Sequence, residues 1–378
     1  MKKQLTIWQC TMLVAVCIIA TKFQRFPALL AKDYGSNGWV FLLCMLVFDL
    51  FFVWLVVSTL KKLKDKTLFE LLEEKLGKVV KIIICIILAV YFFFKAVITY
   101  RGTHEFFANM LFDKLSWFYF SILFALLLIV MVGGGLNDIG RSAELYSYII
   151  GFGLITSIAL GVIKTDLWNI MPIMDMEIGD FLGSSLKHLP WLGDYLIILF
   201  FIGNVKLDKS PTKPIMLSYT VTSLLIVTVY VIFYCINESL SVYQANSLSA
   251  ITQYSLIGLG VGRPDWFLVL FVFMSTIIAN AFYVYAYTLS VSEIFMFKRS
   301  YILISIMVFI LFIVDNIVLK NIQSSIDFVH QYVSYLALFV GTVMPILVKI
   351  LAGVGNHNNC SHHNHSGKQV YYKARCEI

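Results

Sequence analysis

Lys22 and Arg25 lie in the middle of the first membrane-length apolar stretch of the chain, with Thr21, Phe23 and Gln24 around them and Pro27 just beyond. A charge at the centre of a membrane helix costs roughly 3 kcal/mol on insertion scales. Chains accept that cost where interrupted backbone lines a buried site rather than facing lipid. An ammonium at such a break binds a carboxylate, and the exposed N–H groups of the half-helices can do the same. Lys22 can equally reach a surface through its aliphatic stem or pair with a buried acid such as Asp49. Arg25, nearer the end of the stretch, suits an external salt bridge or a headgroup contact.

A second set of residues offers the complementary chemistry. The run His188-Leu189-Pro190-Trp191-Leu192-Gly193-Asp194 interrupts another apolar stretch. Asp194 can receive a ligand ammonium, pair with Lys22 across a cavity, or cap the half-helix that follows. Tyr91, Lys95 and Thr99 recur at i, i+4 and i+8 and form a polar stripe on one helix face. Thr276, Asn280, Tyr283 and Tyr287 form another. Both stripes suit a cavity lining or interhelical hydrogen bonds, which average about 0.6 kcal/mol. The candidate ligand-binding set is therefore Thr21, Lys22, Phe23, Gln24, Tyr91, Lys95, Trp191, Gly193, Asp194, Asn280 and Tyr283. Asp49 and Asp315 are further acids at apolar depth, suited to pairing or to a proton relay.

Elements able to position these residues are legible as hydropathy. The chain has 378 residues, 60% hydrophobic and only 13% charged. Its mean hydropathy is +0.84. Soluble domains carry about 25% charge. Ten stretches approach the ~20 residues needed to cross a bilayer. They are Ile7–Ala31, Trp39–Leu60, Val79–Tyr100, Leu115–Val132, Ala143–Ile163, Glu177–Val205, Ile215–Ile236, Trp266–Phe295, Tyr301–Lys320 and Phe328–Leu351. The expectation is an all-α integral membrane protein of ten transmembrane helices, divided five and five. Helices 1 and 6 are the interrupted members of their halves, which points to an inverted repeat with the site between them.

Residues 1–352 read as one transmembrane domain, and 353–378 as a polar His- and Asn-rich tail expected to be disordered. The segment from Lys61 to Lys81 reads as a short amphipathic helix, with Thr67 and Glu70 at capping-box spacing and Gly77 as its stop. No stretch has the pattern of a cleaved signal peptide, so the first helix is expected to stay.

The formal charge of +7 raises a nucleic-acid reading, but its distribution opposes it. With both termini inside, most Lys and Arg fall in cytoplasmic segments, as the positive-inside rule requires. Both termini are therefore expected to be cytoplasmic, and no nucleic-acid partner is expected. The seven cysteines form no CxxC pair, and no disulfide framework or zinc site is expected. His357, Cys360, His362, His363 and His365 have no fixed ligand spacing, so no metal is assigned. Gly133-Gly134-Gly135 and Gly258, Gly260 and Gly262 adjoin no Lys-Ser/Thr pair, which leaves nucleotide binding unsupported. No nucleophile–base or paired-carboxylate set has an enzymatic context. Neither an enzyme nor a cofactor is expected.

Several short motifs together resemble the spore germination permease family, the B subunits of GerA-type germinant receptors, within the amino acid–polyamine–organocation superfamily. They are Leu5-Thr6-Ile7-Trp8-Gln9, Pro27-Ala28-Leu29-Leu30-Ala31 with Gly35, Gly38 and Trp39, and Leu76-Gly77. Asn169-Ile170-Met171-Pro172, Trp191-Leu192-Gly193-Asp194, Glu293-Ile294-Phe295 before Lys298-Arg299, and Pro345 complete the pattern. The chain departs from that pattern at the first break, where Thr21, Lys22, Gln24 and Arg25 replace small residues. It departs again at the second, where Asp194 replaces Glu, and in its His-rich tail.

The resemblance implies a LeuT-like arrangement in which helices 3 and 8 flank the broken helices. Lys22 would then meet a ligand carboxylate or stand where relatives hold a coupling cation. It implies a receptor subunit in the inner membrane of an endospore, binding a small amino acid-like germinant and working with A-type and C-type subunits. A proton-coupled amino acid transporter of the same fold is the alternative.

Overall fold

The computed structural model describes residues 4–60, 62–63, 66–110, 117–172, 176–191, 193–206, 210–244, 246–256, 265–297, 300–318 and 333–361. Leu192 of the second break, the Gly258–Gly262 glycines, Lys298-Arg299, the start of the last expected span and tail residues 362–378 lie outside these.

The first apolar stretch folds as two helices, α1 (Ile7–Lys22) and α2 (Phe26–Tyr34). Thr6 and Gln9 cap α1 reciprocally: the Thr6 hydroxyl accepts from the Gln9 N–H and the Gln9 amide oxygen from the Thr6 N–H. The same Gln9 donates to Glu144 at 2.9 Å. The helix ends at the cations, and Pro27 then stands in the first turn of α2, where its missing N–H removes no helical bond. Helix α3 (Gly38–Leu60) follows.

The expected amphipathic helix and third span form one element, α4 (Leu68–Met110), divided at Gly77, whose φ of +80° breaks the helical path. Thr67 and Glu70 form the capping pair that starts it. Then come α5 (Trp117–Gly134) and α6 (Leu136–Val162).

The second interrupted stretch begins with α7 (Ile178–Lys187). A short turn at Leu189–Trp191 leads to Gly193 in the left-handed region and a segment Asp194–Phe201. That last piece differs from the expected half-helix. It is wound as a tighter 3₁₀ helix, with Leu196 N–H donating to the Gly193 carbonyl at 3.0 Å. Every side chain from Asp194 to Phe201 is buried. Extended 3₁₀ winding is uncommon and often marks a strained or hinge segment.

The rest comprises α8 (Thr212–Asn237), α9 (Ser247–Leu256), α10 (Asp265–Phe295), α11 (Tyr301–Ile313) and α12 (Ser334–Ser361). A π-helical turn, Val314–Val318, continues α11. Helix α12 runs nine residues into the segment expected as tail.

Among the described residues, six helices are long and apolar enough to cross a membrane, counting α2 through α3 as one. Three shorter apolar helices, Ile7–Lys22, Phe118–Gly134 and Tyr301–Ile317, accompany them. Outward-facing Val47, Val130 and Ile302 are 70–74% exposed. An apolar exterior of that kind suits lipid and would aggregate in water. The Asp194–Phe201 segment is wholly buried, α10 is the most buried of the six long spans, and α1 packs against both, which brings the two breaks together.

Backbone pairing ties the start of α1 to the end of the second interrupted stretch. Leu5 and Val205 pair as a parallel bridge, with Leu5 N–H donating to Asn204 at 2.9 Å and Lys206 N–H to Leu5 at 2.8 Å. At Gly203, φ is +73°, and a Cβ there would lie 2.7 Å from the Lys66 carbonyl oxygen.

Candidate functional site

Asp194 is the hub of the interior. Its Oδ1 lies 3.1 Å from Lys95 Nζ, and its Oδ2 lies 3.2 Å from Lys22 Nζ. The Thr21 hydroxyl lies 3.4 Å from Oδ2 and shares its one proton with the nearer Cys17 and Ile18 carbonyls of its own helix. Lys22 Nζ is 3.7 Å from Asp49 Oδ2 on α3, and that same oxygen accepts from the Tyr219 hydroxyl of α8 at 2.6 Å. All four ionic side chains are at most 5% exposed. Two ammoniums and two carboxylates thus balance in a buried interior, where an unpaired charge would be costly.

Local backbone explains how Asp194 arrives there. Gly193 has φ +85°, a region a side chain disfavours, and a Cβ would meet the Tyr91 hydroxyl at 2.7 Å. Glycine at this position lets the chain turn sharply and bring the carboxylate against α1 and α4. Tyr91 therefore touches the second break directly. Tyr283 on α10 is fully buried and stacks on Phe92 at 6.3 Å. Its hydroxyl finds no protein partner among the described residues.

The remaining candidates sit apart from the ions. Phe23 and Gln24 line a cavity of about 20 Å³ with Thr276 and Ser275 of α10. The Phe23 carbonyl accepts from Ser247 at 2.9 Å, and the Gln24 side chain lies over Gly102. Asn280 donates to the Thr276 carbonyl of its own helix at 3.0 Å, and its Oδ1 has no protein partner among the described residues. Trp191 stacks on Phe26 at 4.9 Å. A second cavity of about 10 Å³ lies beside Lys22 and Asp49, lined by Met45 and Ser223.

Several contacts near these residues are not apparent from sequence. The Tyr219–Asp49 bond crosses 170 residues and carries no spacing signal. His188, fully buried, lies 2.9 Å from Asp33 and is ringed by Phe26, Tyr34 and Phe41 at 5.6–6.0 Å. Tyr34 and Ser185 hydroxyls meet at 3.0 Å, so α2 is tied to α7 twice. Arg25 pairs with Glu105 at 3.0 Å, Arg101 joins Glu105 at 3.6 Å and Asp315 at 3.5 Å, and His104 meets Asp315 at 3.0 Å. Asp315, a lone acid by sequence, is thus paired from within the π-helical turn. The i, i+4 spacing of Arg101 and Glu105 was the one signal available for this network.

The profile of a family described as spore germination protein matches residues 4–325. The chain belongs to that family. Spore germination protein A2 of Bacillus subtilis (strain 168) is 24% identical over 231 residues, covering 61% of this chain and 63% of that protein. The match thus spans less than two thirds of A2's own length. Spore germination protein B2 of the same organism is 23% identical over 274 residues, covering 70% of this chain and 73% of B2.

Among solved structures, a substrate-bound, outward-open Na+-coupled sialic acid symporter superposes with a TM-score of 0.60 at 12% identity, over 92% of this chain and 78% of that one. A manganese transporter of Eremococcus coleocola gives 0.56 at 11% identity, over 92% and 76%. At such identities the likeness concerns the fold, which is that of LeuT-like transporters. The chain is a membrane protein of the spore germination family on a transporter fold, nearly all helical in its described residues.

Proposed function

We propose that the protein is the permease-like, B-type subunit of a germinant receptor. It binds a small amino acid-like nutrient between the two breaks and passes the resulting rearrangement to A-type and C-type partner subunits. The observation that carries this reading is the buried Lys22–Asp194–Lys95 contact, which joins both interrupted segments and α4 at one point. A ligand that competes for these charges has different contacts in the joined and parted arrangements, which is what a two-state sensor requires. Both termini face the cytoplasm of an endospore's inner membrane in this reading, in keeping with the distribution of Lys and Arg.

The test is a thermal-shift screen of the purified full chain against amino acids and nucleosides. A ligand that binds only the folded protein raises its melting temperature. A hit that survives both Lys22→Ala and Asp194→Ala unchanged would place the site elsewhere. A second reading on the same transporter fold is a proton-coupled amino acid transporter. Flux in proteoliposomes separates the two: sustained uptake supports the carrier, binding without uptake the receptor.

A further inference from the structure

Asp194 is held as a ligand would be. Each carboxylate oxygen faces its own ammonium, Oδ1 toward Lys95 at 3.1 Å and Oδ2 toward Lys22 at 3.2 Å, with the Thr21 hydroxyl 3.4 Å from Oδ2 and its one proton shared with two backbone carbonyls. These donors sit on α1 and α4, while the carboxylate comes from the far side of the second break. The cavity that touches this cluster, beside Lys22 and Asp49, measures about 10 Å³. That is room for about one water, not for a nutrient.

Charge makes the same point. Lys22, Lys95, Asp194 and Asp49 sum to zero. Withdrawing Asp194 leaves one uncompensated positive charge among the other three. One carboxylate restores the balance, and one ammonium makes it worse.

We infer that Lys22, Lys95 and Thr21 form a monocarboxylate-binding site, and that Asp194 fills it as a tethered internal surrogate which an incoming carboxylate must displace. This rests on the proposed ligand site and names the group that enters it. The mount of Asp194 suits displacement. It follows a left-handed glycine and opens a 3₁₀ segment, so its side chain moves with that segment rather than with the lysines. Ligand binding and movement of the second break then become a single event. Affinity for the ligand is reduced by whatever holds Asp194 in place.

The experiment removes the surrogate and supplies a free one. In the full-length Asp194→Gly variant, formate and acetate should raise the melting temperature by several degrees, saturably, whereas matched chloride and methylammonium should not. The wild-type protein should respond to neither acid. Adding Lys95→Met to Asp194→Gly should abolish the response. A folded Asp194→Gly variant that ignores carboxylates, or responds equally to chloride, overturns the inference. If the variant fails to fold, its yield is compared after extraction in formate and in chloride. Rescue by formate alone supports the site, and equal failure refutes it. A formate response in the variant together with no hit in the wild-type nutrient screen would keep the carboxylate site and reject the sensor reading.

Discussion

Lys22 and Asp194 lie 172 positions apart in sequence and meet at 3.2 Å, one on each interrupted segment. Neither charge would persist alone in this interior, so the two breaks stabilise each other. The half-helices are thereby coupled through a single acid that is shared with Lys95 of α4.

Lys95→Met should be strongly destabilising. It leaves Asp194 short of one of its two cations and unbalances the buried set, and removing one partner of a buried pair costs about 3–5 kcal/mol. The double variant Lys95→Met/Asp194→Asn should regain part of that loss, because both charges go together. Melting temperatures of the single and double variants measure the coupling. A Lys95→Met protein as stable as wild type would mean that the Lys95–Asp194 contact carries no weight.

Much of this arrangement can be read in the chain. Two cations and a proline inside an apolar stretch mark the first break because apolar helices rarely carry them without cause. Gly193-Asp194 marks the second for the same reason. Lys22 and Asp49 also stand out as buried charges needing partners. The choice of partners is not legible. Lys95 meets Asp194 across 99 residues, and Tyr219 meets Asp49 across 170, through packing that no local period encodes. Trp191 reads as a ligand contact beside Gly193, and its stacking on Phe26 is a contact that no local period encodes. The 3₁₀ winding of Asp194–Phe201 likewise has no sequence signature.

Tyr219→Phe isolates the second carboxylate. The change keeps the ring and deletes the hydroxyl that donates to Asp49 at 2.6 Å. Asp49 Oδ1 already lacks a protein partner among the described residues, so the loss falls on an under-satisfied group. The expected cost is about 1–3 kcal/mol, read as a lower melting temperature. Tyr219→Phe combined with Asp49→Asn should cost less than the sum of the two changes, and strict additivity would contradict the contact.

His188→Ala should loosen α2 from α7. It removes an imidazole packed among three aromatic rings together with the 2.9 Å contact to Asp33. Truncating a large buried ring costs about 3–5 kcal/mol. Asp33→Asn keeps the packing and weakens only the polar contact at a partly exposed group, so its cost should stay near or below about 1 kcal/mol. Proteolysis and hydrogen exchange across Phe26–Tyr34 and Ile178–Lys187 would show both segments opening together in His188→Ala. Protection lost in one segment alone would argue against the tie.

Gly193 and Gly203 flank the same segment and predict different responses to alanine. Both have positive φ, +85° and +73°, so each substitution incurs about 1–2 kcal/mol of backbone strain. At Gly193 the obstacle is the Tyr91 hydroxyl at 2.7 Å, the tip of a side chain. Gly193→Ala should therefore be partly rescued by Tyr91→Phe. At Gly203 the obstacle is backbone, the Lys66 carbonyl oxygen at 2.7 Å and the Thr67 nitrogen at 2.9 Å, which no side-chain change can withdraw. Gly203→Ala must push the end of the segment away from the start of α4 and strain the Leu5–Val205 pairing beside it. It should lower the melting temperature more than Gly193→Ala and expose residues 4–6 to exchange. If Gly203→Ala proved the milder change, the packing of Gly203 on Lys66 and Thr67 would be looser than the close backbone approach requires.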